Sequence, residues 1–175
     1  MPDYSLPFPV TSGLAYGPWK LSSLVAECAS FQARVKVNDF SGACQFVKRT
    51  MILDVGDFDG LSRPIAIVGR GKFSFDLNAY QVLVPDVNTL WLTLTDWDRF
   101  PDKPDLSAFD FEQWAGSVLD EMQDLQGTDD PPSATGHLAL KTISIDDRPR
   151  FSHPQSTPPD KAYWTAFIRC EVKFP

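Results

Sequence analysis

The stretch Ala162–Phe174, AYWTAFIRCEVKF, decides the fold. Trp164, Ala166, Ile168, Cys170, Val172 and Phe174 fall on one side of it, and Tyr163, Thr165, Phe167, Arg169, Glu171 and Lys173 on the other. A strand turns successive side chains to opposite faces, so this alternation predicts a long, half-buried β-strand. Its apolar face needs a cover. Two amphipathic helices elsewhere in the chain have the pattern to supply one.

The first helix is expected over Lys20–Val35. Leu21, Leu24, Val25, Cys28, Phe31 and Val35 follow the spacing of one apolar stripe, and Pro18 suits a first turn. The second follows the Pro-punctuated loop Asp98–Leu106. Ser107 offers an N-cap with Asp110 three residues on, and Gly127 is a stop. Phe111, Trp114, Ala115, Val118, Leu119, Met122 and Leu125 make its stripe, with Asp110, Glu112, Asp120, Glu121 and Asp124 on the other side.

Further strands are expected at Gln45–Val55, Arg63–Val68, Tyr80–Val84, Leu90–Trp97 and His137–Ile145. Phe73 and Phe75 alternate with polar neighbours. Gly69-Arg70-Gly71 marks a turn or bulge, and a phase shift between Leu140 and Ile143 marks another bulge. In Leu90–Trp97 the leucines face one way and Trp91, Thr93, Thr95 and Trp97 the other, and the two tryptophans read as core. Helix, strands, helix, two strands, with short turns between strands, predict an α+β two-layer sandwich. Its sheet is mostly antiparallel, with both main helices on one face. Residues 1–18 read as an extended N-terminal arm, and 19–175 as a single α+β domain. Pro2, Pro7, Pro9 and Pro18 favour extended geometry, while Tyr4, Leu6, Phe8 and Val10 are too apolar for a solvated tail. The arm is expected to pack on its own domain or on a neighbour.

Composition narrows the function classes. The chain has 175 residues, 43% of them hydrophobic, enough for a core without metal or disulfide support. A formal net charge of −7 disfavours broad binding of nucleic acid or anionic lipid. No apolar run is long enough to span a membrane, and no secretory leader is evident. Cys28, Cys44 and Cys170 each fall inside an expected element, as buried free thiols would.

No pattern of catalytic or metal-ligating residues stands out, and no cofactor is expected. Asp54, Asp57 and Asp59 have part of the spacing of a calcium loop, but Val55 interrupts it and no bidentate Glu follows at the required distance. His137 and His153 have no second His or Cys at ligand spacing. Ser152-His153 lacks the strand–turn–helix elbow of a nucleophile. Asp120, Glu121 and Asp124 read as a solvated helix face, and Gly69-Arg70-Gly71 is too short to cradle phosphate.

The order of elements resembles that of the small α+β tail-terminator and head–tail connector (neck) proteins of tailed phages. Local stretches that carry the likeness are Leu24-Val-Ala-Glu-Cys-Ala-Ser-Phe31-Gln, Arg63-Pro-Ile-Ala-Ile-Val68 and the closing strand around Trp164. The resemblance implies a virion protein, assembled in the host cytoplasm, whose copies form a ring, typically sixfold, against tail-tube or head-connector proteins. Ring contacts would be heterologous. The arm (Tyr4, Leu6, Phe8) and the loop 146–161 (Arg148, Arg150, Phe151, His153) are the expected contact residues. DNA would be passing cargo, with Asp120, Glu121 and Asp124 as a candidate acidic lumen face that repels it. A small-molecule enzyme, or a monomeric binding module with a pocket between sheet and loops, is the alternative.

Overall fold

The computed structural model describes residues 16–49, 61–77, 80–127 and 138–172. In chain order they form α1 (Tyr16–Glu27), α2 (Ala29–Val35), α3 (Phe40–Cys44), β1 (Val47–Arg49), β2 (Ile65–Leu77) and β3 (Tyr80–Trp97). There follow α4 (Pro104–Gly127), β4 (Leu138–Ile145), β5 (Arg150–Phe151) and β6 (Ala162–Val172). The sheet order is β1-β2-β3-β6-β4, with β5 pairing β6. Every pair is antiparallel except β1 with β2. A parallel pair needs a crossover of a dozen or more residues, and residues 50–64 supply that length.

The register gathers one apolar face. Ala66 sits opposite Leu94 and Val68 opposite Leu92, while Leu90, Leu92 and Leu94 sit opposite Cys170, Ile168 and Ala166. Paired residues share a face, so these side chains form one buried layer. Leu21, Leu24, Val25 and Phe31 from α1 and α2, and Phe111, Trp114, Val118 and Met122 from α4, close over it in a single core. The fold is therefore α+β in two layers, with both main helices on one side of the sheet.

The expected helix Lys20–Val35 is two helices. Cys28 leaves helical geometry (φ −65°, ψ 123°). Its backbone N–H bonds Val25 O, a tightened last turn, and its thiol donates to Leu24 O and contacts Val118 O. The restart needs a new N-terminal acceptor, and Glu121 of α4 supplies it, its carboxylate taking the Ser30 N–H at 3.0 Å and the Ser30 hydroxyl. The stripe stays continuous across the break, which is why its spacing reads as one helix.

Ser107 is not an N-cap either. The α4 helix begins at Pro104, and Ser107 N already donates to Lys103 O. The Ser107 hydroxyl instead donates to Asp98 and accepts the Trp164 indole N–H at 2.7 Å, fastening α4 to the closing strand.

On the opposite face the two tryptophans of β3 part company. Trp97 is half-buried at a cation–aromatic stack. The Arg63 guanidinium lies 3.8 Å from the Tyr163 ring centre and 4.9 Å from that of Trp97, with Lys161 Nζ 4.8 Å from Trp97. Arg63 also donates to Thr95 Oγ1 at 2.9 Å and Leu61 O at 3.0 Å. Trp91 is 39% exposed rather than core.

Candidate functional site

Two features of the sheet present strand edges that no other strand pairs among the described residues. The first is the hairpin of β2 and β3. Its proximal part is braced: Ala66–Val68 by β1 and Thr89–Trp97 by β6. At Arg70/Gly71 the register shifts, with Arg70 opposite Leu90 and Gly71 opposite Asp86. Beyond that bulge, seven further pairs run from Gly71↔Asp86 to Leu77↔Tyr80. No third strand pairs with them among the described residues. At about 3.3 Å per residue this two-stranded ribbon extends roughly 20 Å past the sheet. A bulge at its root re-aims the ribbon. Two strands alone bury little and leave both outer edges unpaired, so such a ribbon is stabilised by something packed on it.

The second feature is the outer edge of β4. Asp146 N donates to Thr165 O of β6, which fixes the phase of that edge. Backbone groups alternate sides along a strand, so 142, 144 and 146 address β6, while Ile143 and Ile145 turn their N–H and C=O outward. Ile143 is 51% exposed, and Ile145 packs partly on the core. Register puts both isoleucines on the helix side, opposite Ile168 and Ala166. The bulge between Leu140 and Thr142, and the Lys141–Glu171 ion pair (3.3 Å), blunt one end of this edge but not the isoleucines.

Of the expected contact residues, Tyr4, Leu6 and Phe8 lie outside the described residues. Arg148, Arg150, Phe151 and His153 share a surface loop that is more ordered than its proline content suggests. The β5 strand pairs with β6, Ser152 N donates to Lys161 O, and Ser152 Oγ bridges Pro158 O and Lys161 N. Arg150 pairs with Asp146 at 2.7 Å and lies over the Phe167 ring. Phe151 is 66% exposed. His153 Nδ1 accepts from Gln155 N, and Ser152 is committed to the loop, so the two do not act as nucleophile and base. On α4, Asp120 and Asp124 are exposed, whereas Glu121 is spent on Ser30. Leu106 and Phe109, three residues apart at the start of α4, add exposed apolar surface, Phe109 at 60%.

A shallow groove of about 330 Å³ runs between α2 and α4, lined by Ser30, Arg34, Arg99, Asp110, Trp114 and Ser117. Its ionic groups answer one another: Arg34 donates to Asp96 at 2.6 Å and to Asp110 at 2.7 Å, and Arg99 stands 3.4 Å from Asp96. Burial alone pulls the Arg34 pKa down. Hydrogen bonds to Asp110 and the charge of Asp96 outweigh it, so the pKa ends above its ordinary value. The guanidinium also lies 5.1 Å from the Trp114 ring centre, and Trp114 Nε1 is buried without a hydrogen-bond partner among the described residues. The groove offers a braced ion cluster rather than a poised acid or base. Among the described residues no cluster of His, Cys, Asp and Glu has the makings of a metal site, and no helix is long and apolar enough to cross a membrane. The candidate calcium loop at Asp54–Gly60 and His137 lie outside the described residues.

Comparison with known proteins found no matching family model, no matching curated protein and no matching solved structure. The ribbon is the feature that sequence reasoning missed. Phe73 and Phe75 alternate with polar neighbours as a strand does. Gly69-Arg70-Gly71 reads as a turn or a bulge, and the register shift at Arg70/Gly71 makes it the bulge, so the strands expected separately on either side of it join into one long hairpin.

Proposed function

We propose that this chain is a structural subunit of a ring-shaped assembly, and that the ring is a tail terminator or neck ring joining head and tail of a tailed phage. The observation that carries the assembly reading is the unaccompanied ribbon beyond Arg70/Gly71. A ribbon whose edges meet no third strand among the described residues is suited to reach a neighbour, and a heterologous contact repeated around an axis closes a ring. Exposed Phe109, Phe151, Trp91 and Ile143 lie on separate elements, as contact residues on both sides of such a subunit would. The virion setting rests on the resemblance in element order. In that setting Asp120 and Asp124 face the lumen and keep passing DNA from sticking, with Glu121 held aside by Ser30.

Light scattering of the full chain over a range of concentrations, with negative-stain images, tests the assembly. Rings, or a mass that rises to a closed multiple of 19.6 kDa, are expected. A mass fixed at the monomer, unchanged on mixing with tail-tube and connector proteins, overturns the reading. It then favours a monomeric module using the groove beside Trp114.

A further inference from the structure

We propose that the outer edge of β4 pairs antiparallel with the same edge of a second copy, across a two-fold axis at Ser144. This goes beyond the ring reading and does not rest on it.

This stretch of edge is open on both faces. Lys141, Thr142, Ile143 and Ser144 are consecutive residues of β4, and all are exposed. A strand covered by a helix layer shows water one face only, so here the layer stops short of β4. The strand also ends the sheet, and its outward backbone groups are those of Ile143 and Ile145, since Asp146 N donates inward to Thr165 O.

Symmetry restricts how a second copy can pair. With the axis at Ser144, Ile143 stands opposite Ile145 of the second copy, and Ile145 opposite Ile143 of the second copy. Each pair exchanges both main-chain hydrogen bonds, so every outward group of the two isoleucines is met. Their side chains meet on the helix side, where Ile143 is 51% exposed. The bulge between Leu140 and Thr142 falls just outside the paired segment. An axis at Ile143 would set Ile145 against that bulge. An axis at Ile145 would carry Ile143 to Asp147 of the second copy, past the end of β4, and Lys141 to Arg148 of the second copy, a like charge.

Charge selects the same register. On the face away from the helices, the bulge sets Lys141 and Thr142 together opposite Asp146 of the second copy. Lys141 already pairs with Glu171 at 3.3 Å, and Asp146 with Arg150 at 2.7 Å. Across the contact the side chains run Glu171, Lys141, then Asp146 and Arg150 of the second copy, alternating in sign, and the axis repeats the row. Opposite charges on facing strand positions favour the pairing. A lysine on an edge strand ordinarily guards it against added strands. Here the second copy brings the carboxylate that answers it.

The test traps the axis in the full chain. In Ser144→Cys the two thiols face each other at a non-hydrogen-bonded site, where side chains come closest. Mild copper–phenanthroline oxidation should give a disulfide-linked dimer roughly tenfold faster than in Thr142→Cys, because only a thiol on the axis is held beside its own copy. Thr142 is exposed on the same face, off the axis, and the wild-type chain controls for its own cysteines. Comparable rates at 142 and 144 overturn the register, and no dimer above the wild-type level overturns the contact. Charge gives a second readout. Adding Lys141→Glu to Ser144→Cys should slow dimer formation roughly tenfold, and adding Asp146→Lys as well should recover most of the rate. A rate indifferent to both changes overturns the pairing of Lys141 with Asp146 of the second copy. Assembled mass that persists in light scattering while Ser144→Cys yields no dimer overturns this contact and leaves the ring reading standing. A disulfide dimer whose mass stops at two copies supports this contact and overturns the ring.

Discussion

At the scale of single residues, the strongest constraint is the ion cluster around Arg34. Its partner Asp96 is 3% exposed and sits at the end of β3, so its charge depends on Arg34 more than on solvent-exposed Arg99. Breaking a buried pair by removing one partner costs about 3–5 kcal/mol, because the remaining charge stays desolvated. Arg34→Met should therefore lower stability by roughly 3 kcal/mol in urea melts, and Asp96→Asn, which leaves no buried anion, should lose less. Equal losses would show that the side-chain packing, not the charge, matters. The thiols make a second prediction. Burial pushes Cys28 up to about 12, with Glu121 and Glu27 adding to it, and pushes Cys170 up to about 12 by desolvation alone. A thiol raised from 9.0 stays neutral in the folded chain while its unfolded counterpart ionises. Stability is then fully present below pH 9 and declines towards pH 12. Relative to Cys170→Ala, the wild type should lose roughly 1.4 kcal/mol per pH unit within that window. Parallel pH profiles for the two proteins would refute the buried thiol.

At the scale of elements, the α1–α2 break shows how a tertiary contact overrides a local pattern. Glu121 reaches Ser30 from ninety-one residues away and ends the need for one continuous helix. Glu121→Ala should cost about 1 kcal/mol, the usual worth of an N-terminal cap, read as a lowered thermal midpoint, while Glu121→Gln, which keeps an acceptor, should recover part of it. No loss in either variant would mean that Cys28 alone sets the break. The stripes of Leu21–Val35 and Phe111–Leu125, and the alternation of Ala162–Val172, were legible because one-sided burial writes a period into the sequence. Ser107 was misread because a serine before an apolar run serves equally as a cap or as a hydroxyl for an indole, and only the position of Trp164 decides. Trp91 and Trp97 share one face of β3, yet only Trp97 has Arg63 and Lys161 over it. Periodicity gives the face, not its cover.

At the scale of the whole molecule, the assembly reading divides fold from interaction surface along the bulge at Arg70/Gly71. Among the residues whose burial is described, a single core draws on α1, α2, α4 and the proximal sheet. If the chain assembles as proposed, the ribbon can be removed without touching any of these core residues. That separation is hidden in the sequence, where the ribbon's alternation looks the same as that of any half-buried strand, because the pleat is identical whether the cover comes from the same chain or from another. Replacing residues 72–85 by a two-residue Asn-Gly turn keeps the pairs up to Arg70↔Leu90 and the first pair past the bulge, Gly71↔Asp86, and removes the six beyond it. The shortened chain should keep its helical circular dichroism and shift its thermal midpoint by only a few degrees, since every described core residue remains. Its mass in light scattering should fall to that of a monomer. A large loss of thermal stability would make the ribbon part of the fold itself, and unchanged assembly would assign the subunit contacts to β4 and the loop around Phe151 instead.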